Sequence, residues 1–435
     1  MSKMTIVSNR DHIRSSFRDA IFTNLNIGMN ETYFCAFMLA LGVSGVVAGF
    51  STILVQFIGV VFQLFSISRY FRRYSLKNRL LIFLTTQILS LIPLIIIGIY
   101  RINSPSLLIL ILGLYWASLL SLNPPWNKLI GHTVPAKFRL NFFSLRSQYS
   151  QFSIFVGLLF SGLLLKEVKG SPGELEIFVY LFIIGVCLKI FSWLEVKYRH
   201  NDAGLLNTES ILPFREFLKR LRSTDQGKLI SFLFLFYISV TISSPYFSPY
   251  MLEVMKLDYL KYMTVISVSL MGRVLMFKFL QKKSKSRHLN KILIFSTIGI
   301  ASSPLLWSFS QNFWYILIVE IVSGCYWAGF ELSTILLLYQ KIEDHERTSV
   351  MSYLAFFNIM GMTIGSGIGA LMLHFFPSPI IQFETLFIIS SIARLIIALS
   401  APHVNFKGKI PKIIYAARPF GIVTRPFIEK ITRRK

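Results

Sequence analysis

The chain has 435 residues, of which 54% are hydrophobic and only 15% charged, and its mean hydropathy is +0.59. Soluble domains carry roughly 25% charged residues, so this composition argues against a water-soluble globule and favours a lipid environment. The net charge of +25 arises from basic residues between long apolar runs. This distribution argues against nucleic-acid binding, because no polar region is long enough to fold as a nucleic-acid-binding domain.

Twelve apolar segments follow one another, each close to the length of about 20 residues that one helix needs to cross a bilayer. We therefore predict an all-α integral membrane protein with about 12 transmembrane helices. The first segment is the most polar, because three asparagines and Glu31 interrupt it. The predicted helices cover 17–39, 45–68, 80–100, 106–124, 147–165, 175–196, 228–250, 260–280, 291–309, 312–339, 348–375 and 382–400.

Basic residues gather on one side of this layout, as expected for loops that face the cytoplasm. An even number of spans then places both termini in the cytoplasm, and we predict a multi-pass protein of the inner (plasma) membrane. The basic tail either lies on anionic lipids of the inner leaflet or stays unfolded. The predicted domains are an N-terminal leader (1–16), a first six-helix half (17–196), a cytoplasmic linker (197–227), a second six-helix half (228–400) and the tail (401–435).

Short stretches of sequence recur between the two halves in the same order, with offsets between 208 and 213 residues. We therefore predict two parallel six-helix pseudo-repeats, which place a binding site between the halves near the membrane midplane. The matches are YFCAFML (33–39) with YFSPYML (246–252), NRLLIF (78–83) with NKILIF (290–295), Tyr115-Trp116-Ala117 with Tyr326-Trp327-Ala328, and Arg139, Ser144 and Gly157 with Arg347, Ser352 and Gly365.

Two such halves, each with a basic loop after its second helix, resemble the major facilitator superfamily of transporters. Residues 125–146 add a P-x-W…V-P…R…F…R stretch that is similar to a poorly characterised bacterial branch of that family. The residues that carry it are Pro125, Trp126, Val134, Pro135, Arg139, Phe143 and Arg146. The resemblance covers roughly residues 15–400 and implies a 6+6 fold in which helices 4 and 10 line the cavity.

The loop after helix 2 departs from the pattern of many family members, which have an acidic residue and a glycine there. Arg72 and Ser75 stand at those positions, so the loop keeps its positive charge but lacks the carboxylate. We expect Arg72 and Arg73 at a cytoplasmic gate. The arginines of the cytoplasmic loop between helices 4 and 5 are expected to cap carbonyls or to meet lipid phosphates rather than to bind substrate. The residues expected there are Trp126, Arg139 and Arg146.

Acidic side chains within the predicted helices are candidate sites, because charge inside a bilayer is costly. Glu31 lies in a weakened part of helix 1, where it either carries a proton or a substrate contact, or is solvated at the outer mouth. Glu320 and Glu331 are eleven residues apart and share a face of helix 10. Each can bind a proton or a substrate amine, or pair with an arginine.

Arg273 and Arg394 lie near the middle of predicted helices, and Lys189 lies nearer the end of one. Arg273 suits an anionic substrate, since a guanidinium forms a fork for carboxylate or phosphate, and its alternatives are a structural pair with a glutamate or extension to the interface. For Arg394 we favour a buried pair with a glutamate or extension to the interface. Lys189 is expected near the inner end of helix 6, extending to the membrane surface.

Aromatic residues recur at equivalent positions of the two halves and are the remaining candidates for a cavity wall. They either line the cavity or fill space between helices and at the interface. They are Tyr115-Trp116 and Tyr326-Trp327 in helices 4 and 10, and Tyr33 and Tyr246 in helices 1 and 7.

The sequence shows no nucleotide loop, zinc spacing or catalytic constellation. We expect no enzyme, cofactor or metal, and a monomer whose partners are membrane lipids and a small-molecule or lipid substrate. The leading hypothesis is a proton-coupled secondary transporter working by alternating access, with Glu31, Glu320 and Glu331 as candidate proton carriers. The alternatives are a lipid or lysolipid transporter on the same scaffold and a non-transporting membrane receptor or assembly factor.

Overall fold

The computed structural model describes residues 3–66, 71–126, 129, 136–168, 170–171, 173–199, 212–283, 289–342, 346–375 and 379–401. Within these residues the chain forms helices and connecting turns, with no strand. The long helices among them are α1 (Lys3–Met29), α2 (Gly45–Ser66), α3 (Leu76–Tyr100), α4 (Pro105–Ser121), α5 (Ala136–Leu165), α6 (Glu174–Arg199), α7 (Asp225–Thr241), α8 (Tyr259–Lys283), α9 (Leu289–Ser308), α10 (Phe313–Lys341), α11 (Arg347–Phe375) and α12 (Pro379–Leu399).

Ten helices in the described part of the chain are long and apolar enough to cross a membrane. Helix α1 does not meet that standard, and in α5 only the part Tyr149–Leu165 is apolar. Both helices are nevertheless packed into the bundle, because α1 lies against α5 and α6. Together with the ten apolar helices they form the two predicted sets of six.

Helices α1 and α5 begin well before their predicted starts at residues 17 and 147. Helix α1 begins at Lys3 and α5 at Ala136. The reason is that hydropathy marks only the part of a helix that lies in hydrocarbon. Both helices continue beyond their apolar parts, through sequence rich in basic and polar residues.

The first helix of each half is interrupted at the same place, and in the first half the break falls in the part of the 17–39 segment that the sequence predicts to be weakened. After α1 comes a 3₁₀ turn, Glu31–Tyr33, and then a short helix, Phe34–Ala40. After α7 come the 3₁₀ turn Ser244–Tyr246, the single turn Phe247–Pro249 and the π-helical turn Tyr250–Val254. Asparagines, which compete for backbone hydrogen bonds, precede the first interruption, and prolines lie within the second.

Matching glycines set the crossings of α5 on α1 and of α11 on α7. A Cβ atom at Gly157 would collide with the backbone of Leu25 and Met29 in α1. A Cβ atom at Gly365 would collide with the backbone of Ile238 in α7. Small residues at such crossings let membrane helices approach closely. The two halves therefore repeat their packing as well as their sequence.

A short amphipathic helix, Phe214–Ser223, lies in the linker between the halves, and we call it the linker helix. Its Phe217 is buried against aromatic side chains of α11. Arg220 donates hydrogen bonds to Glu216 and, over 2.8 Å, to Glu346 ahead of α11. The bond to the Glu216 carboxylate raises the pKa of the guanidinium. The linker is thus fastened to the second half.

The halves contact each other where α2 packs on α11 and α5 packs on α8. We call the end of the bundle with the α1–α2 and α5–α6 loops the outer end, and the end with the linker helix the inner end. At the outer end the Tyr259 hydroxyl of α8 donates to Glu174 of α6 over 2.5 Å. The Tyr33 ring lies 6.2 and 6.0 Å from the rings of Tyr259 and Tyr262. Buried contacts therefore close this end.

Candidate functional site

A hydrogen-bonded polar cluster fills the centre of the first half, where α1 is interrupted. The Tyr115 hydroxyl of α4 donates to Glu31 Oε1 over 2.5 Å and accepts from Asn26 Nδ2 over 2.9 Å. Asn30 Nδ2 donates to Asn26 Oδ1 over 2.9 Å. Gly185 of α6 makes room for both amides, since a Cβ atom there would collide with them. The cluster is buried except for Glu31, which is half-buried.

Lys189 joins this cluster from α6, and its position corrects the expectation that it extends to the membrane surface. Its side chain is fully buried, with Nζ 6.0 Å from the centroid of the Tyr115 ring. Glu31 and Asp19 lie within electrostatic reach of it. The surface is out of reach because α6 continues to Arg199, about 15 Å further along the axis.

A second charged cluster ties α1 to α5 and α6 nearer the inner end. Asp19 of α1 accepts a hydrogen bond from Ser192 over 2.5 Å and pairs with Arg146 over 3.4 Å. The Arg146 guanidinium also lies 5.3 Å from the centroid of the Trp126 ring. Arg146 thus binds a carboxylate, where the sequence suggested carbonyls or lipid phosphates. Sequence reasoning missed Asp19, although an acid within an apolar segment was a usable signal.

An ion pair lies at the centre of the second half. Arg273 Nη1 of α8 donates to Glu331 Oε1 of α10 over 2.8 Å, and the guanidinium lies 5.6 Å from the centroid of the Trp327 ring. The side chains of Arg273 and Glu331 are 33% and 36% exposed. Two of the residues that the sequence singled out are therefore paired, and the pair is open on one side.

Glu320 lies about three turns from Glu331 on α10 and has a separate partner. It accepts a hydrogen bond from Trp307 Nε1 of α9 over 3.0 Å. Its side chain also meets Ser269 of α8, and Arg273 lies within electrostatic reach. Its hydrogen-bond donors are thus neutral groups, whereas Glu331 is paired with a cation.

Arg394 forms neither of the arrangements expected for it. The guanidinium is buried, so it does not extend to the interface, and it donates to the carbonyls of Ile300 and Val240 over 3.1 and 2.8 Å. It also donates to Ser243 Oγ over 2.8 Å. These acceptors belong to α9 and to α7 and its end, so Arg394 holds α12 in place without a carboxylate.

The repeated tyrosines of the first helices have equivalent backbone partners. The buried Tyr33 hydroxyl donates to the Leu158 carbonyl of α5 over 3.1 Å, and the buried Tyr246 hydroxyl donates to the Ser366 carbonyl of α11 over 2.5 Å. These hydroxyls are therefore engaged in helix packing. The half-buried aromatic candidates of α4 and α10 are Trp116, Tyr326 and Trp327.

The remaining candidates are less well placed by the structure. Arg73 is exposed just after α2, whereas the side chains of Arg72 and Arg139 lie outside the described part, as does nearly all of the tail. Among the described residues, no three His, Cys, Asp or Glu side chains come together as a metal site.

Comparison with protein families gives one match, to the Major Facilitator Superfamily over residues 20–341. No curated protein matches the chain in sequence.

Solved transporters share the fold of this chain at low sequence identity. The nucleoside transporter NupG is 12% identical, with 91% of this chain and 98% of NupG covered and a TM-score of 0.67. A bacterial homologue of the iron transporter ferroportin in its inward-facing state is 14% identical, with 92% and 98% covered and a TM-score of 0.69, and its outward-facing state scores 0.61. The E. coli fucose:proton symporter FucP is 15% identical, with 92% of this chain and 98% of FucP covered and a TM-score of 0.56.

Proposed function

This chain belongs to the Major Facilitator Superfamily, and on that premise we propose that it is a secondary transporter that moves a small solute by alternating access, coupled to protons. Its family and its multi-pass bundle make it a membrane transporter rather than an enzyme. The proposed mechanism needs a polar site that tolerates burial, two halves that rearrange, and a group that gains and loses a proton.

The polar groups at the centres of both halves are the observation that carries the proposal. Glu31 projects from the break in α1, and Arg273 and Glu331 form a partly open pair between α8 and α10. Charges at this depth are costly and are found where they face a water-filled cavity or serve a partner. We therefore assign the solute site to the space between the halves. The half-buried aromatic side chains assigned to its walls are Trp116, Tyr326 and Trp327.

The closed outer end supports an inward-facing state. The Tyr259–Glu174 hydrogen bond and the packing of Tyr33 hold the two halves together there. The higher TM-score with the inward-facing than with the outward-facing ferroportin homologue agrees with this assignment. Transport would require these contacts to separate as the halves rock around the central site.

Glu31 is our first candidate for the proton carrier. Its carboxylate accepts a hydrogen bond from the neutral Tyr115 hydroxyl, at the 3₁₀ turn that interrupts α1. Lys189 lies within electrostatic reach and balances the charge of ionised Glu31. Glu320 and Glu331 are the alternative carriers. Replacing Glu31, Glu320 and Glu331 by glutamine one at a time shows which of them carries the proton.

The test is transport in proteoliposomes with an imposed proton gradient. The solutes are a pooled metabolite extract, read by mass spectrometry after uptake. Glu31→Gln keeps an acceptor for Tyr115 while removing the proton site, and Glu331→Gln removes the acid of the second half. Glu167→Gln is the matched control, because its side chain is 79% exposed in a loop at the outer end.

We expect gradient-driven accumulation of one compound class by the wild type and by Glu167→Gln. Glu31→Gln should lose accumulation against a gradient but still equilibrate the solute. Accumulation that persists in Glu31→Gln, Glu331→Gln and a third variant, Glu320→Gln, would exclude proton coupling through these carboxylates. If no metabolite moves in either gradient direction, a lipid substrate or a non-transporting role replaces the proposal.

A further inference from the structure

Arg273 lies too deep in the bilayer to be an incidental surface charge. It is near the middle of α8, about 15 Å along the helix axis from the nearer end. Arginine within a membrane-spanning helix is costly to expose to hydrocarbon, and such side chains usually face the bundle interior or a water-filled cavity. We therefore take the exposed third of the Arg273 side chain to face the space between the halves, where the solute site is proposed.

The guanidinium has hydrogen-bonding capacity that its partner does not use. Glu331 accepts from Nη1 alone, and Nε is buried without a hydrogen-bond partner among the described residues. A guanidinium offers five N–H donors in a planar fork that matches a carboxylate or phosphate bidentately. Because Glu331 accepts only one hydrogen bond from the guanidinium, Arg273 can bind a second anion beside Glu331 or exchange Glu331 for another anion.

The other deep cations differ from Arg273 in ways that matter for binding. Arg394 is fully buried, and two carbonyls and a hydroxyl accept from its two terminal amino groups, although its Nε also has no partner among the described residues. Lys189 is fully buried inside the first half. Among these three side chains, only Arg273 combines partial exposure with unused donors. The Trp327 ring lies beside Arg273 and gives the proposed site a flat apolar surface.

We propose, building on the proposed function, that the solute is a small organic anion whose carboxylate or phosphate binds Arg273 in place of Glu331. In the protein without solute, the Glu331 carboxylate occupies the position of the substrate anion and balances the positive charge of Arg273. The solute displaces it, and the planar or apolar part of the solute packs on Trp327. The site therefore selects against neutral analogues, which cannot compensate Arg273 once Glu331 has left.

The test uses thermal unfolding of the purified protein with three probes. The first is the part of a metabolite extract retained on an anion exchanger, the second is the unretained part, and the third is short-chain phosphatidylglycerol. The variants are Arg273→Gln, Arg273→Lys and Glu331→Gln. Arg222→Gln, on the exposed side of the linker helix, is the matched control. If Arg273→Gln does not fold, because Glu331 is left uncompensated, the Arg273→Gln/Glu331→Gln double variant replaces it.

We expect the retained fraction to raise the Tm of the wild type and of Arg222→Gln. The shift should be larger for Glu331→Gln, which lacks the competing carboxylate, smaller for Arg273→Lys, which lacks the fork, and absent for Arg273→Gln. A shift from the unretained fraction alone, an equal shift in Arg273→Gln, or no shift in Glu331→Gln would overturn the inference. A shift from phosphatidylglycerol alone would replace the soluble anion by a lipid.

The same fractions in proteoliposomes separate this inference from the proposed function. Binding of the retained fraction without any transport would leave the anion site standing and overturn the transporter proposal. Transport of a neutral compound by Arg273→Gln as fast as by the wild type would support the transporter proposal and overturn the anion site.

Discussion

The buried charges of this bundle are accommodated in three different ways. Arg394 is solvated by backbone carbonyls, Asp19 and Arg146 form a pair, and Lys189 has only electrostatic compensation from carboxylates. Each arrangement offsets part of the free energy that is lost when a charged side chain is taken out of water. These side chains therefore fix helix positions, whereas the Arg273–Glu331 pair is partly exposed.

Arg394→Gln should destabilise the protein by about 3 kcal/mol, because it leaves buried acceptors at Ile300, Val240 and Ser243 without their donors. The check is the Tm and the yield of folded protein in detergent. Arg222→Gln, an exposed arginine changed in the same way, should have no measurable effect. Equal stability of the two variants would show that Arg394 does not hold α12.

The Asp19–Arg146 pair should give a coupling energy on the order of 1–2 kcal/mol in a double-mutant cycle of Asp19→Asn and Arg146→Gln. The side chains are only 10% and 22% exposed, so water screens the pair weakly. The exposed Lys166–Glu167 pair is the comparison and should give less than about 0.5 kcal/mol. Additive single effects at Asp19 and Arg146 would contradict the pairing.

Sequence alone identified the charges at the centre of the protein and offered a pair between Arg273 and a glutamate as one alternative, which the structure shows with Glu331. It did not identify the partners of Glu31 or Lys189. Glu31, Arg273 and Glu331 stand out because they interrupt apolar runs. Lys189 was misplaced because the predicted end of helix 6 lay too close to it. The Tyr115–Glu31 bond joins residues 84 positions apart, and nothing in either local sequence specifies it.

At the scale of the helices, hydropathy predicted the apolar spans and the repeat predicted the shared architecture. Neither shows the irregular turns after α1 and α7, because an apolar segment looks the same whether its helix is straight or broken. The asparagines before Glu31 indicated the weakened part of helix 1, where the structure has a 3₁₀ turn, whereas the break after α7 was not predicted. These turns place the Glu31 carboxylate in one half and the buried Tyr246 in the other.

The glycine crossings should be the least tolerant positions of the repeat. Gly157→Ala and Gly365→Ala each force α5 or α11 away from its partner, since the methyl group would meet backbone atoms that cannot rotate aside. We expect a lower Tm and a loss of folded protein for both. Gly367→Ala is the control on α11, because its methyl group would meet only the Phe50 ring, at an ordinary 3.7 Å. Equal effects at Gly365 and Gly367 would contradict the crossing.

At the scale of the whole molecule, the sequence predicted two halves but not which end of the bundle is closed. That property depends on contacts between helices of opposite halves, such as Tyr33 with Tyr262 and Glu174 with Tyr259. Neither aromatic residues nor a lone glutamate near a helix end indicates such a contact in advance. The closure of the outer end therefore could not be predicted from the sequence.

Tyr259→Phe should shift the protein toward a state that is open at the outer end, because it removes a hydrogen bond between the halves and leaves Glu174 with less compensation. Cys35 reports this change. It is 5% exposed in the short helix after the α1 break, and Tyr262 and Glu253 of the other half lie within electrostatic reach. In a background with the other two cysteines replaced by serine, a membrane-impermeant maleimide added to the outer end should label Cys35 faster in this variant.

Tyr262→Phe is the matched control for that measurement. It removes a hydroxyl of equal burial whose partner, Ser248, lies 3.1 Å away within the same half. It should therefore leave the labelling of Cys35 unchanged, because no bond between the halves is lost. If both variants accelerate labelling alike, the effect reflects loosened packing around Tyr33, and the Tyr259–Glu174 bond is not the latch of the outer end. If neither does, the ring contacts alone keep the halves together, and opening must begin elsewhere along α2 and α11.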